Sequence, residues 1–295
     1  TNSEDVTINE NGIVSVLTDE IKIINIKVSY ALDTDISFVK PVLINDGVIA
    51  DKTTNAKLVE IAKRAEWSSS AEQVMASEAY KVTTLGKTFH GSDIINFDEF
   101  VYFGNVTSLS DNFKDCTSLK RLIIPEHIES VSRLNSSGDI NLDYLEIRCK
   151  GFNCYGTSNM NVKNLVIYHD VNNSETYPFT KVEHLEMKEG VTVSPVIRSK
   201  DLVSVDIPST IVNVLGFGHD MYVPESSFGI EFNISNGANA KVVDGYLTNL
   251  DGSVIYKCNT VGTDLHLDYD VVVGNYAFSC YPDTIYFYND VQSVG

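Results

Sequence analysis

Two pairs of acidic residues are the first candidates for chemistry in this chain. Asp33 and Asp35 alternate along one predicted strand, and Asp268 and Asp270 alternate along another. Residues at i and i+2 point to the same face of a strand, and two carboxylates that face one site can cleave a glycosidic bond. The chain, however, has 40 Asp and Glu against 22 Lys and Arg. Acidic surface strands therefore explain these pairs better than catalysis does.

Two glycine-containing segments are candidates for phosphate binding. The Gly-Lys-Thr tripeptide at 86–88 matches the end of a phosphate-binding loop, but Lys81 stands where that loop requires its first glycine. Residues 216–220 are rich in glycine, but no helix is predicted after them to direct backbone N–H groups at a phosphate. We interpret the first segment as a chance match and the second as a loop between repeats.

The cysteines and histidines lack the spacings of metal or redox sites. Cys149 and Cys154 have four residues between them, and no second pair completes a zinc site. They are the only cysteines near enough in sequence to suspect a disulfide, and the others are interpreted as buried thiols. The six histidines are scattered, and each is interpreted as a surface or loop residue. The motifs G-x-S-x-G, H-E-x-x-H and C-x-x-C are absent, so we predict no catalytic residue, metal or cofactor, and no enzyme.

The amino-acid composition excludes several classes of binding partner. The net charge of −18 repels phosphate backbones and anionic lipid, which argues against nucleic acid as a partner. No run of about 18 apolar residues is present, so no membrane insertion is expected. Hydrophobic residues make up 43% of the chain and aromatic residues 10%, which excludes disorder for most of its length. A start at Thr1 fits a mature secreted chain and equally a cytosolic chain that has lost its initiator Met.

Three units must position any site. Residues 1–50 are predicted to form a small β unit for docking or anchoring, because every second residue from Ile24 to Tyr30 is apolar, the pattern of a half-buried strand. Residues 51–85 are predicted to form a short helical pair. An apolar stripe that starts at Leu58 predicts the first helix, and Ser70 with Gln73 predicts a capping box at the start of the second.

Residues 86–295 repeat a frame of the form apolar-x-x-apolar-x-apolar. The clearest copies are Leu119/Leu122/Ile124, Leu142/Leu145/Ile147, Val162/Leu165/Ile167, Val182/Leu185/Met187 and Leu202/Val205/Ile207. Their central positions are spaced by 20 residues, except for a first step of 23. Looser copies follow near Ile230 and Ile285. A repeat this short cannot bury its apolar face alone, so the pattern predicts a solenoid whose strands form one parallel sheet with a single inward column.

Three segments resemble the BspA-like leucine-rich repeats of bacterial surface proteins. Residues 113–125 resemble the unit AF-x-x-C-x-x-L-x-x-I-x-IP almost position by position, and residues 274–280 are similar to the unit IG-x-x-AF-x-x-C. Residues 243–252 resemble an insert that such proteins carry between repeats. The resemblance covers roughly residues 57–295 and implies an α/β-repeat fold, mainly β: a leucine-rich-repeat solenoid preceded by the helical pair and the β unit.

Residues 97–103 resemble the first-repeat cap of the Bacteroides-type branch, which includes proteins of gut bacteria and their phages. In that branch the preceding helices often resemble half a dockerin with an Asp-rich calcium loop. Here the matching loop, residues 68–73, has lost its Asp ligands, and only Glu78 stands at the closing position. Calcium needs six to eight oxygen ligands. The resemblance therefore implies a degenerate dockerin-like helix pair that is kept for packing and holds no ion.

If the frame residues point inward, the residues between them form outward ladders about 4.8 Å apart. The ladders are Arg121/Tyr144/Asn164/His184/Ser204, Ile123/Glu146/Val166/Glu186/Asp206 and Pro125/Arg148/Tyr168/Lys188/Pro208. The candidate binding residues on them are Arg121, Tyr144, Tyr168, His184, Glu146 and Glu186. The alternative is a solvated sheet face on which the pairs Glu146–Arg148 and Glu186–Lys188 only neutralise each other.

Two functions compete. The resemblance implies an adhesion protein, extracellular or at the cell surface, that recognises a protein or glycan on a cell. The alternative is a structural or receptor-binding component of a phage virion or tail, in which residues 1–50 dock to a neighbouring virion subunit. An enzyme is a distant third hypothesis.

Overall fold

The computed structural model describes most of the chain. The described residues are 5–9, 13–30, 33–134, 140–152, 160–171, 179–195, 197, 199, 201–214, 230–243, 246–258, 265–267, 271–273, 285–287 and 291–294. Several predictions lie outside them: Asp268 and Asp270, the loop at 216–220, and the segment 274–280.

The first part of the chain forms short antiparallel pairs and two helices. Its elements are β1 (Val6–Ile8), β2 (Val14–Val16), β3 (Lys22–Tyr30), β4 (Asp33–Ile44), β5 (Val48–Asp51), α1 (Ala56–Arg64), β6 (Gln73–Met75) and α2 (Ala76–Tyr80). The pairs are β1–β2, β3–β4 and β5–β6. Strand β5 crosses the expected boundary between residues 50 and 51. Its pairing with β6 joins the N-terminal β unit to the helical pair.

The antiparallel ribbon β3–β4 confirms the strand predicted from Ile24 to Tyr30, but its burial is uneven. Ile24 is half-buried, whereas Val28 is 45% exposed and the residue opposite it, Phe38, is 60% exposed. The first half of β3 lies against the solenoid, where the Asn25 side chain donates to Glu126. The alternation therefore predicted a strand correctly, but it did not show which end of the strand is covered.

Helix α1 agrees with its predicted stripe, since Leu58, Ile61 and Ala62 are buried. Its cap is Asn55, whose side chain accepts from the Leu58 N–H at 3.1 Å. The predicted capping box at Ser70 and Gln73 is wrong. The Ser70 side chain does accept from the Gln73 N–H at 3.3 Å, but Gln73 belongs to β6, which pairs with β5, and α2 begins only at Ala76.

The start of α2 is stabilised instead by Glu78. Its Oε2 accepts from the Met75 N–H at 3.0 Å, and its Oε1 accepts from the Ser69 N–H at 3.1 Å. The carboxylate at the position of the calcium-closing Glu is therefore bonded to the backbone of its own loop.

The middle of the chain is a solenoid built on one parallel sheet. Its elements are β7 (Asn96–Phe97), a 3-10 helix (Asp98–Tyr102), β8 (Ser108–Ser110), β9 (Arg121–Ile124), β10 (Ser130–Arg133), β11 (Ile140–Ile147), β12 (Met160–Ile167), β13 (Phe179–Thr180), β14 (His184–Met187), β15 (Ser204–Ile207) and β16 (Glu231–Ile234). The sheet runs in the order β7-β9-β11-β12-β14-β15-β16, with β13 beside β12. All its pairs are parallel.

The predicted inward column is confirmed. Leu122, Leu145, Leu165, Leu185 and Val205 are direct register partners from β9 to β15, and each is buried. Each turn of the solenoid thus covers the apolar side chain of the next.

A second parallel ladder lies on the return side of the solenoid. Strands β8 and β10 pair there, and Val131 bridges to Phe152. Gly151 permits this close approach, because a Cβ at this position would lie 1.8 Å from the Glu129 carbonyl oxygen. The repeat frame did not predict this ladder.

The C-terminal strands form separate sheets rather than continuing the single stack that was expected over 86–295. They are β17 (Lys241–Val243), β18 (Tyr246–Thr248), β19 (Val254–Cys258), β20 (Leu265–Leu267), β21 (Val271–Val273), β22 (Ile285–Phe287) and β23 (Val291–Val294). Their sheet orders are β17-β18-β19-β21-β23 and β20-β22. The antiparallel strands β17, β18 and β19 interrupt the parallel ladder after β16. None of the helices in the described part of the chain has the length and apolar character needed to cross a membrane.

Candidate binding face

The outward face of the parallel sheet carries the predicted ladders. The observed register pairs Arg121, Tyr144, Asn164, His184 and Ser204 in one row. A second row contains Ile123, Glu146, Val166, Glu186 and Asp206. The third row follows the strand ends, where the N–H groups of Arg148, Tyr168 and Lys188 donate to carbonyls of the preceding strand. The first two ladders have the predicted register, although Ile123, Glu146 and Val166 of the second are buried, and the third is observed from Arg148 to Lys188.

At one edge of the face, Arg121 is held from two sides. Its guanidinium carbon lies 4.0 Å from the centroid of the Tyr144 ring, a cation–π geometry. Its Nε donates to both carboxylate oxygens of Asp98, at 2.8 and 2.7 Å. Asp98 belongs to the 3-10 helix, so this cap element fixes the first side chain of the face.

Glu146 is the centre of the face and is only 4% exposed. Its Oε2 accepts from the Tyr144 hydroxyl at 2.7 Å, and its Oε1 accepts from Arg148 Nε at 2.6 Å. Burial opposes its ionisation, but the hydrogen bonds from Arg148 and Tyr144, the positive charge of Arg148 and a contribution from Tyr168 together outweigh it, so the pKa of Glu146 is lowered. Burial and the bond to Glu146 raise the pKa of Tyr144 to about 12. The result is a charged and fully bonded carboxylate beneath a neutral tyrosine.

These contacts extend from β11 to Tyr168, the residue that directly follows β12. The guanidinium carbon of Arg148 lies 5.8 Å from the Tyr168 ring centroid. Burial raises the pKa of the Tyr168 hydroxyl, and the negative charge of Glu146 adds to that effect. Asp98, Arg121, Tyr144, Glu146, Arg148 and Tyr168 thus form one connected row of side chains, which we call the face network.

The other two candidates lie apart from this network. His184 is exposed, and its Nδ1 lies 2.8 Å from Ser204 Oγ. Glu186 pairs with Lys188. Because Asn164 lies between Tyr144 and His184 in the register, these two are roughly 10 Å apart, which is two strand spacings. The structure therefore joins four of the six predicted residues and leaves His184 and Glu186 to one side.

The alternative interpretation, a solvated and self-neutralised sheet face, predicts two ion pairs, and both are present: Glu146–Arg148 and Glu186–Lys188. They differ in burial: the Glu146 side chain is 6% exposed in its pair, whereas Glu186 and Lys188 remain at 41% and 38%. A solvated, self-neutralised surface is a good description of Glu186–Lys188. It is a poor one for Glu146, whose charge is enclosed by the network.

Sequence reasoning missed three residues. Asp98 and Arg148 were not named as candidates, although Asp98 precedes Arg121 by 23 residues, about one repeat. His127 was interpreted as a surface or loop residue; it does lie in a turn but is only 9% exposed. Burial lowers the pKa of His127 to about 4, so the ring is neutral at pH 7. The apolar neighbour Ile128 is the one sequence signal for its burial.

Within the described ranges, no group of three or more His, Cys, Asp or Glu side chains is placed to hold a metal ion. Cys116 is a buried thiol, as predicted. Cys149, for which a disulfide was suspected, is also a buried free thiol, and burial raises its pKa to about 12. Cys154, the suspected partner of Cys149, lies outside the described residues.

Comparisons with models of known protein families, with curated proteins and with solved structures gave no match. The resemblance to the BspA-like repeats therefore rests on the sequence segments themselves. In residues 113–125 the motif positions Phe113, Cys116, Leu119, Leu122 and Ile124 are all buried. The structure shows the architecture but not the repeat family. The chain is mainly β, with a parallel-sheet solenoid and few helices among the described residues.

Proposed function

We propose that this chain is a non-enzymatic binding module of leucine-rich-repeat type, extracellular or at a cell surface, which recognises a protein or glycan on a cell. Its binding surface is the outward sheet face around the face network. The observation that carries the proposal is the enclosure of Glu146, which holds Tyr144 and Arg148 in fixed positions.

Fixed side chains favour binding for a thermodynamic reason. Immobilising a flexible side chain at an interface costs about 0.5–1.5 kcal/mol, and a pre-ordered one avoids that cost. The face also combines two tyrosines with two arginines, residue types that dominate the energy of protein interfaces. Both arginines sit beside aromatic rings, so the network is ordered before any partner arrives.

The test is binding of the labelled 295-residue chain to epithelial and bacterial cells, measured by flow cytometry. The double variant Tyr144→Ala with Tyr168→Ala is expected to weaken binding at least tenfold, since outward aromatics at a hot spot contribute ~2 kcal/mol or more each. The matched control is Tyr286→Ala, a substitution of an exposed tyrosine on β22, outside the main sheet. Unchanged binding by the double variant would move the site elsewhere.

A virion or tail component is the second candidate, favoured by one observation. Val28 and Phe38 face each other on the ribbon β3–β4 and are both exposed, and exposed apolar side chains rimmed by polar ones suit a contact with another subunit. Under this hypothesis Phe38→Ser would prevent incorporation into particles while cell binding by the face persists. Sedimentation of the chain with assembled particles measures this.

A further inference from the structure

A cleft of about 470 Å³ opens between the N-terminal ribbon and the carboxyl ends of three sheet strands. The start of β3 and the 3-10 helix form one wall, which includes Lys22, Val101 and Tyr102. The opposite wall consists of the residues that directly follow β9, β11 and β12, among them His127, Arg148 and Tyr168. The volume lies in the range of small-molecule sites. Since Arg148 and Tyr168 also belong to the face network, the cleft is continuous with the proposed binding face.

His127 supplies the polar feature of this cleft. Its ring is hydrogen-bonded to the Phe103 backbone, whereas Nε2 is buried and has no hydrogen-bond partner among the described residues. A nitrogen that donates to a carbonyl carries the proton of a neutral imidazole, so Nε2 is a lone-pair acceptor. A buried acceptor without a donor is costly. His127 lines the cleft, but its Nε2 lies beneath the cleft wall, so a ligand that brings a hydroxyl or N–H donor reaches this acceptor only when the ring turns toward it.

The aromatic walls select the shape of that ligand. Tyr102 and Tyr168 are half-buried and line the cleft from opposite sides. The face of a phenol ring is electron-rich, and the C–H groups on the flat side of a pyranose pack against such a face. Arg148 adds donors, because a guanidinium has five N–H groups and only its Nε is used by Glu146 among the described residues.

The charges of the cleft argue against an anionic ligand. Lys22 lies 2.7 Å from Asp5 and 2.9 Å from Glu20, so its charge is already neutralised. Arg148 is paired with Glu146. Among the charged lining residues and their direct ion-pair partners, four carboxylates face two cations: Asp5, Glu20, Glu126 and Glu146 against Lys22 and Arg148. A phosphate or sialic acid would be repelled, whereas an uncharged polyol would not.

The geometry points to a neutral oligosaccharide, one end of which binds in this cleft. Tyr102 and Tyr168 pack on the ring faces, and Arg148 donates to a ring or hydroxyl oxygen. The His127 ring turns on binding, so that its Nε2 accepts from a sugar hydroxyl. This inference rests on the proposed function, because it names the ligand class of the same binding module and places the ligand at one end of the same face.

The test uses the full chain on an array of oligosaccharides that end in galactose, glucose, mannose, fucose or N-acetylglucosamine, each also present in a form capped with sialic acid. The best-bound sugar is then titrated by calorimetry. Val101→Trp, which fills the cleft, and His127→Phe, which removes the acceptor, are each expected to weaken binding at least tenfold. Ile23→Trp fills the cleft from β3 of the ribbon and is expected to weaken binding in the same way. Thermal unfolding identifies the variants that retain the fold.

The matched control is Tyr286→Ala, which removes an exposed tyrosine on β22 and changes no residue of the cleft lining or of the face network. It should bind the sugar within twofold of the unsubstituted chain. Full binding by folded Val101→Trp and Ile23→Trp, a preference for the sialylated forms, or no bound sugar on the array would each overturn the inference. The proposed function would survive those results if cell binding still depended on Tyr144 and Tyr168.

Discussion

The ribbon β3–β4 and the central strands β9 to β15 are both rich in aliphatic residues, yet they bury them to different extents. In the ribbon, Val28 and Phe38 face each other and remain exposed. In the central sheet, Leu145 and Leu165 are equally direct partners and are completely buried. Alternation along one strand predicts a strand but not the layer that covers it. A repeat predicts both, because each copy provides the layer for its neighbour.

The largest effect that separates the two regions is expected from Leu165→Ala. This change leaves a cavity in the inward column and should lower the free energy of unfolding by about 2–5 kcal/mol. Urea denaturation followed by circular dichroism measures it. A loss below about 1 kcal/mol would mean that the column is not the core of the solenoid.

The junction between the two regions should show a pH-dependent loss of stability. The pKa of His127 is about 4 in the folded chain, against about 6.5 for an unperturbed histidine. The unfolded chain therefore takes up a proton first as the pH falls. Stability declines from about pH 6.5 and this loss is complete near pH 4.

Between pH 7 and pH 5 this contribution is about 2 kcal/mol. Denaturation curves at both pH values should show it in the unsubstituted chain and not in His127→Phe. His184→Phe is the control, because His184 is exposed. An equal pH dependence in both variants would contradict the assignment to His127.

A smaller effect is expected on the outward face of the central sheet. Tyr144→Phe keeps the ring beneath Arg121 but removes the hydrogen bond to Glu146. The cost should be about 1 kcal/mol, since the tyrosine is half-buried and Arg148 still pairs with the carboxylate. Chemical denaturation at pH 7 measures the change. A cost above about 3 kcal/mol would mean that the face contributes to the fold as much as the column does.

The exposed half of the ribbon should tolerate the loss of a large apolar side chain, which the inward column of the solenoid does not. Phe38→Ser is expected to change the free energy of unfolding by less than about 0.5 kcal/mol, because the side chain is already in solvent. The same denaturation assay applies. A loss comparable to that of Leu165→Ala would show that the outer half of the ribbon is covered in solution.

Calcium is expected to leave the melting temperature unchanged, although the helical pair between the two regions resembles a calcium-binding unit. Both carboxylate oxygens of Glu78 already accept backbone N–H groups. Binding at a hundredfold excess over Kd would add about 2.7 kcal/mol of stability. Melting curves in millimolar calcium and in chelator should therefore coincide, and a clear rise in Tm with calcium would reveal a site.

The sequence predicted what depends on regular spacing. The steps of 20 residues between Leu145, Leu165, Leu185 and Val205 were enough to place each of them in one column and to assign the register of the first two ladders. The connection from Tyr144 to Glu146 and Arg148 then follows from adjacency on one strand and its end.

What could not be predicted depends on contacts between segments that share no period. Ser70 accepts from the Gln73 N–H, but Gln73 enters β6 and pairs with β5, so no helix starts there. Asp98 reaches Arg121 from a cap element, and His127 is buried by Phe100 and the Phe103 backbone rather than by its own repeat. The cleft likewise needs the ribbon, whose position against the solenoid has no signature in either sequence segment.

The in-register column has a consequence for how the length of such a chain can change. Residues 168–187 span one step of the ladder, so removing them as a block would bring Ile167 next to Lys188, the residue that already follows β14. The remaining leucines would still meet in register, and Arg121, Tyr144, Glu146 and Arg148 would keep their places. A deletion of ten residues would instead break the ladder. We therefore expect the solenoid to tolerate changes of length in whole turns, because the inward column keeps its register.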